Sequence, residues 1–118
     1  MQQTATILSA ELLGFQSITE SLPSDGIAPF MKDISSLVET IARMHRGSLN
    51  RFTGDTFMVV FHPNKTSKQA AIHALDAAFE INEQLQLFID DKKLKQDFSL
   101  KIGIASGSNP DFQAKILL

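Results

Sequence analysis

The sequence predicts an α+β domain in which helices cover one face of an antiparallel β-sheet. Three observations support this prediction: strand-like and helical hydrophobic periods alternate, a tight-turn sequence joins two adjacent strand candidates, and an alanine-rich helix candidate follows them. The chain has 118 residues, enough for one domain that buries roughly two thirds of the surface of its unfolded chain. We therefore interpret residues 1–118 as a single domain and assign residues 108–118 to no element.

The first half of the chain contains one strand candidate and two helix candidates. Residues 4–10 are rich in Thr and Ile, which favours a buried strand. Residues 15–22 predict a short helix, because a proline follows them. Apolar residues then recur at steps of three and four over residues 27–41, which is typical of an amphipathic helix, and we expect Gly47 to end it.

The second half contains a hairpin, a helix and a further strand. Residues 48–52 and 56–61 flank a Thr-Gly-Asp turn, which predicts a β-hairpin whose second strand is buried on both faces. The alanine-rich apolar face over residues 70–88 predicts a helix that approaches a sheet closely. Residues 98–104 alternate between apolar and polar, which predicts a strand with one face in the core.

The resulting order, βαββαβ, is that of a ferredoxin-like fold, with one antiparallel sheet and both helices packed on one face. The handedness of crossover connections allows the third strand to lie between the first two. The end of the first strand then lies beside the start of the third strand. Glu11 ends the first strand and Asp55 precedes the third, so we expect these two acids to meet at one edge of the sheet.

Glu11 and Asp55 are candidate ligands of a divalent cation. Two carboxylates and a backbone carbonyl, such as that of Leu12, are hard oxygen ligands suited to Mg²⁺. Beside them the chain passes from strand to helix at Gly14, where the backbone can approach a ligand and a helix N-terminus favours anions. These features outline a nucleoside triphosphate site. The alternative, an exposed strand-end acid and a turn-forming aspartate, stays open on spacing alone.

Composition excludes several classes of protein. The chain is 43% hydrophobic and 20% charged, values typical of a folded protein. It contains no cysteine, which excludes disulfide bonds and thiolate metal sites. No apolar run approaches the ~18 residues of a membrane span, and the first residues do not resemble a signal peptide. We therefore expect a soluble, cytoplasmic domain with no membrane span.

Charge and histidine spacing bear on the expected partners. The net charge of -2 argues against a basic face for nucleic acid, so we expect no nucleic-acid partner. The histidines, His45, His62 and His73, do not have the spacing of a zinc site or a catalytic triad.

Two segments resemble the catalytic domain of class III adenylate/guanylate cyclases. Residues 5–15, ATILSAELLGF, are similar to its first strand, whose pattern is Asp, an apolar residue, any residue, then Gly-Phe. Residues 45–61, HRGSLNRFTGDTFMVVF, resemble its hairpin and are the more specific match. The helix over residues 70–85 and the strand KIGIASG at residues 101–107 follow in the family's order. The resemblance covers about residues 4–107.

The resemblance implies a role for each candidate residue. Glu11 and Asp55, with the carbonyl of Leu12, would hold Mg²⁺ or Mn²⁺, and Arg51 matches a purine-selecting lysine that serves the opposite subunit. The backbone that would bind the phosphates belongs to Leu13, Gly14, Phe15, Gln16 and Ser17. In the family, the two acids hold two metal ions, the ribose 3′-hydroxyl attacks the α-phosphate and expels pyrophosphate, and both ions stabilise charge on the reacting oxygens.

The resemblance also implies the ligand, the reaction and the assembly. The expected ligand is ATP or GTP, and the expected product is a 3′,5′-cyclic nucleotide that acts in signalling. The family places its active sites at a subunit interface, so we expect a homodimer or a heteromer with another cyclase-like domain.

The sequence departs from the family pattern at three points. Glu11 stands where the family has Asp, and Arg51 stands where it has Lys. Residues 108–118 contain no match to the Asn and Arg that stabilise the transition state, so we identify no catalytic residue and expect cyclisation only if further C-terminal residues or a partner supply them. One alternative is a catalytically silent module for dimerisation or regulation. A weaker one is a diguanylate cyclase-related domain, whose hairpin motif Thr53 and Thr56 interrupt.

Overall fold

The computed structural model describes residues 5–62, 67–92 and 98–107, and these residues form four strands and three α-helices. The strands are β1 (Ala5–Leu13), β2 (Gly47–Phe52), β3 (Thr56–Phe61) and β4 (Ser99–Gly107). The helices are α1 (Phe15–Glu20), α2 (Ile27–Met44) and α3 (Ser67–Asp91), and a 3₁₀ turn (Ser24–Gly26) precedes α2. The predicted order of strands and helices is confirmed.

The four strands form one sheet in the order β2-β3-β1-β4, and every neighbouring pair is antiparallel. The prediction that the third strand lies between the first two is therefore confirmed. Strand β1 is hydrogen-bonded on both sides, to β3 and to β4. Strands β2 and β4 form the two edges of the sheet in the described part of the chain.

One face of the sheet carries the core. Alternate residues of β1 and β3 pack there against all three helices, as the period of two in a strand requires. The sheet side of this core includes Leu8, Ala10, Leu12, Phe57, Val59 and Phe61. The helix side includes Phe15, Ile18, Ile34, Val38, Ala74, Ala78, Ile81 and Leu85. The prediction that the helices lie on one face is confirmed, and the alanines bring α3 close to the sheet.

The opposite face of the sheet, which we call the open face, is covered by no helix of the described residues. Ile7 and Met58 form a small buried cluster on it, and Val60 and Ala105 pack against them. Because side chains alternate along a strand, Glu11 lies on the same face as Ile7. The open face is therefore the side on which the candidate site is built.

The end of α2 differs from the prediction. The residue in the left-handed conformation is Arg46, with a φ of 67°, and Gly47 already belongs to β2. Gly47 is needed for another reason: a Cβ at this position would lie 2.5 Å from Phe61 and 2.8 Å from Val59. Gly47 is therefore needed for the close approach of β2 to β3, and it does not end α2.

Other boundaries and one core residue also differ. Strand β1 continues beyond its predicted end to Leu13, because pairing with β4 extends that far. Ile104, which we predicted to face the core, is 36% exposed, since β4 lies at the edge of the sheet. Thr4 and residues 108–118 lie outside the described residues. Within the described ranges, no helix is both long and apolar enough to span a membrane.

Candidate functional site

Pairing between β1 and β3 brings the backbones of the two predicted acids together. Glu11 pairs with Thr56, the first residue of β3. One step further, the backbone N–H of Leu12 donates a hydrogen bond of 2.7 Å to the carbonyl oxygen of Asp55. Asp55 is therefore bonded to the residue that follows Glu11, and the two acids lie at the same edge of the sheet, as the topology predicts.

The side chains of the two acids have different surroundings. The Glu11 side chain is half-buried and lines a cavity of about 140 Å³ on the open face. Asp55 is exposed in the turn between β2 and β3 and does not line this cavity. The described structure thus brings the two residues to one edge of the sheet, and shared coordination of a cation by their carboxylates stays a prediction.

The cavity has an apolar floor and a polar rim. Its lining residues are Ser9, Ala10, Glu11, Arg51, Thr53, Thr56, Phe57, Met58 and Lys101. The rim therefore offers one carboxylate, two cationic side chains and several hydroxyl groups. This donor set suits a ligand that carries both negative charge and a metal ion. The cavity is smaller than the ~300–1,000 Å³ of a typical small-molecule site, so a nucleotide would extend past it.

Lys101 is a site residue that the sequence reasoning missed. It pairs directly with Glu11 across the β1–β4 ladder, and directly opposite residues share a face with Cβ atoms ~4.5–5.5 Å apart. The alternation in β4 already placed Lys101 away from the core. Its position opposite Glu11 depends on the register between β1 and β4. Lys101 and Glu11 are 90 residues apart in the sequence, so no local pattern specifies this register.

A β-bulge brings Arg51 to the cavity. The register between β2 and β3 shifts between Leu49 and Arg51, so Asn50 has no partner on β3. With this extra residue, Leu49 and Phe52 both pack against the core, whereas Arg51 pairs with Met58 on the open face. The spacing of Leu49 and Phe52, three residues instead of two or four, was the available sequence signal. Arg51 lines the same cavity as Glu11 of its own chain.

The predicted phosphate-binding segment is a turn that is held in place by buried side chains of α1. Gly14 has a φ of 84° and a ψ of 1°, a left-handed conformation that favours glycine, and it connects β1 to α1. Phe15 and Ile18 are buried, and the Phe15 ring stacks on Phe30 at a centroid distance of 6.2 Å. Leu13, Gly14, Gln16 and Ser17 are exposed. The anchoring holds the turn beside Asp55 and leaves its backbone accessible.

The donor set fits a divalent cation that keeps part of its water shell. In the described ranges, no three or more His, Cys, Asp or Glu side chains come together. The predicted ligands at this edge are the carboxylates of Glu11 and Asp55 together with backbone oxygens. Mg²⁺ is usually held by one or two carboxylates together with waters and substrate phosphates. His45 lies away from this site, where its Nε2 and the carboxylate of Glu80 on α3 form a hydrogen bond of 2.8 Å.

Comparison with known proteins identifies the family. The family model of the adenylate and guanylate cyclase catalytic domain matches residues 1–109. The chain belongs to this family. The resemblance seen in strand β1 and in the β2–β3 hairpin is thereby confirmed.

Solved cyclase structures share the fold at low sequence identity. The adenylyl cyclase CyaB from P. aeruginosa is similar with a TM-score of 0.82 and 18% identity, over 91% of this chain and 57% of that chain. The guanylyl cyclase Cya2 is similar with a TM-score of 0.71 and 22% identity, over 91% of this chain and 57% of that one. Adenylate cyclase 1 of Rhizobium meliloti (strain 1021) is 20% identical over 109 residues, which are 91% of this chain. This chain spans 16% of that relative and a little over half of the two structures.

Proposed function

We propose that this domain binds a purine nucleoside triphosphate together with Mg²⁺ or Mn²⁺, as part of a nucleotidyl cyclase that forms a 3′,5′-cyclic nucleotide. The 2.7 Å hydrogen bond between Leu12 and Asp55 is the observation that carries the proposal, because it brings the turn with Asp55 against the strand with Glu11. The family match over residues 1–109 supports it, since the resemblance implies that Glu11 and Asp55 stand where the family has its metal acids. The match also favours cyclisation of one nucleotide over diguanylate synthesis.

The metal would be held by Glu11 and Asp55, with the Leu12 carbonyl as a further ligand. When bound, a divalent cation neutralises phosphate charge and favours deprotonation of the attacking hydroxyl. Glu11 contributes its carboxylate from the half-buried side of the cavity, and Asp55 contributes from the exposed turn. Lys101, opposite Glu11, is a cation that can attract the phosphates but also competes for the carboxylate.

The phosphates and the purine of the nucleotide would be bound by different parts of the protein. We assign the phosphates to the exposed turn from Leu13 to Ser17, where Gly14 presents no side chain. We assign the purine to Arg51 of the opposite subunit, since the resemblance implies that this residue serves the site of its partner. Adenylyl and guanylyl cyclases both have this fold, so the proposal covers ATP and GTP alike.

A second chain would complete the site. The cavity lies on the open face, and at about 140 Å³ it is too small to enclose a nucleotide. We infer a homodimer or a heteromer with another cyclase-like domain, in which a partner covers this face. Formation of the cyclic product would require transition-state groups from that partner or from further C-terminal residues.

A catalytically silent regulatory module is the second candidate. The observation that favours it is the pair of substitutions at the site, Glu11 for Asp and Arg51 for Lys. The longer Glu side chain displaces the carboxylate, and the planar guanidinium differs in shape from an ammonium. A silent module would still dimerise, and it would bind the nucleotide without converting it.

The decisive experiment is calorimetric titration of the 118-residue chain with non-cyclisable ATP and GTP analogues in the presence of Mn²⁺. We expect binding that is lost in Asp55→Asn and kept in Asp76→Asn, a matched exposed acid on α3. A turnover assay with ATP and GTP then separates the two candidates, because the silent module binds and does not turn over. Absence of binding to both analogues would contradict the nucleotide site.

A further inference from the structure

Two threonines close the hairpin that carries Asp55. The backbone N–H of Thr53 donates a 2.9 Å hydrogen bond to the carbonyl oxygen of Thr56. The Thr53 hydroxyl lies 3.4 Å from the same carbonyl oxygen, and the two hydroxyl groups also form a hydrogen bond with each other. Only Gly54 and Asp55 stand between the threonines, so this pair restrains both ends of the turn.

The same pair extends to the other acid. Thr56 lies directly opposite Glu11 in the β1–β3 ladder, so the two side chains share the open face. Thr53, Thr56 and Glu11 all line the same cavity. The linked hydroxyl groups therefore lie between the strand position of Glu11 and the turn position of Asp55.

The backbone of the turn is restrained from the other side as well. The Leu12 N–H holds the Asp55 carbonyl, and Gly54 has a φ of 97° with the end of the Met31 side chain 3.2 Å from where a Cβ would lie. A glycine with positive φ at the first central position is the arrangement of a type II′ hairpin turn. These contacts do not fix the separation between the end of β2 and the start of β3. The hydrogen bond between the Thr53 and Thr56 hydroxyl groups opposes an increase in that separation.

We propose that Thr53 and Thr56 are positioning residues that set the separation of the Glu11 and Asp55 carboxylates for a divalent cation. This inference rests on the proposed function. The hydroxyl groups, and not the size of the side chains, do the positioning, because valine has nearly the same shape as threonine and cannot form the hydrogen bonds. Groups that orient metal ligands typically change metal affinity by ~10–100-fold when they are replaced.

The test is a titration of the full chain with Mn²⁺, in which electron paramagnetic resonance measures the concentration of the free ion. We expect the double variant T53V/T56V to bind Mn²⁺ about 10–100-fold more weakly than wild type. We expect the double variant T53S/T56S to keep the wild-type affinity, because serine retains the hydroxyl group. Thr40→Val is the matched control, since Thr40 is exposed on α2 and remote from the cavity. Thermal melting of each variant monitors the fold.

Each outcome decides something. Wild-type affinity in T53V/T56V overturns this inference and leaves the metal site intact. Affinity lost equally in the serine and valine pairs also overturns it, since the serines keep their hydroxyls. Failure of the wild-type chain to bind Mn²⁺ overturns the proposed metal site and this inference with it. If T53V/T56V does not fold, the exposed single variant T53V takes its place, with the same weakening expected and unchanged affinity contradicting the inference.

Discussion

Glu11 lies between two residues of different character. Thr56 is opposite it on β3, and Lys101 is opposite it on β4. The half-buried Glu11 therefore has a hydroxyl residue opposite it on one neighbouring strand and a cationic residue opposite it on the other. In the proposed metal site, the length of the side chain at position 11 then sets where its carboxylate lies relative to Asp55.

Exchange of Glu11 for Asp should tighten divalent metal binding. The shorter side chain withdraws the carboxylate by about one bond length, toward the position that the family's Asp occupies, and Mg²⁺ tolerates little departure from octahedral geometry. We expect Mn²⁺ affinity to rise by about tenfold, or about 1.4 kcal/mol, in Glu11→Asp. Glu39→Asp on α2 serves as the control. Equal affinity in Glu11→Asp and wild type would show that position 11 does not bind the metal.

A substitution at Gly47, the first residue of β2, tests how closely β2 packs against β3. Its replacement by Ala places a Cβ 2.5 Å from the Phe61 ring, which is buried and cannot move freely. Overpacking of this kind costs about 1–3 kcal/mol of unfolding free energy. Urea denaturation of Gly47→Ala measures this loss. Gly26→Ala is the control, because its Cβ would meet only Pro23 at 3.6 Å; an equal loss in both variants would contradict the close approach.

At the scale of elements, the bulge in β2 decides which residues reach the site. A regular pairing of β2 with β3 would turn Arg51 toward the helices and Phe52 toward the open face. The unpaired Asn50 reverses this, so that Phe52 stacks on Phe57 at 6.2 Å and Arg51 lines the cavity. One residue therefore couples the packing of the hairpin to the composition of the site.

Deletion of Asn50 should remove the bulge and keep Arg51 at the cavity and Phe52 in the core. Without the unpaired residue, regular alternation from Leu49 places Arg51 opposite Met58 and Phe52 opposite Phe57, as in the wild type. Guanidinium denaturation measures the stability of the deletion variant, with Asn50→Gly as the control that keeps the bulge. A loss as large as the ~1.5–3 kcal/mol that burial of a large apolar side chain contributes would contradict this pairing.

Local patterns were sufficient for the elements but not for their contacts. Apolar periods located α2 and α3, and the Thr-Gly-Asp turn located the hairpin, because each of these signals lies within one segment. Topology rules then placed Glu11 near Asp55. The partnership of Lys101 with Glu11 and the bulge at Asn50 could not be derived in this way, since both depend on the register between strands. The left-handed backbone conformation of Arg46 was not predicted, because residues with a Cβ rarely adopt it.

At the scale of the whole molecule, two surfaces are candidates for contact with another chain. The first is the open face of the sheet with its cavity. The second is a stripe of large apolar side chains on the outer side of α3, where Ile72, Leu75 and Phe79 are each about half exposed or more. The proposed assembly uses the first, because the candidate site lies there.

We expect the chain to form a dimer at micromolar concentration in sedimentation velocity experiments. Charge reversal at the cavity rim, Arg51→Glu, should shift the distribution toward monomer, because Arg51 would face the partner. Phe79→Glu should leave the distribution unchanged, because this side chain lies on α3 and is 68% exposed. The reverse pattern would place the interface on α3, and a monomer at all concentrations would contradict the proposed assembly.

The position of β1 between β3 and β4 has a consequence for the lifetime of the site. Amide protons in a strand bonded on both sides exchange with solvent only through the largest opening events of a protein. Glu11 and Leu12 belong to that strand, so their geometry should persist until the domain unfolds as a whole. The proposed cation-binding edge would then be formed before any ligand binds, and deuterium uptake at Leu12 should be as slow as at Leu8 in the buried centre of the same strand.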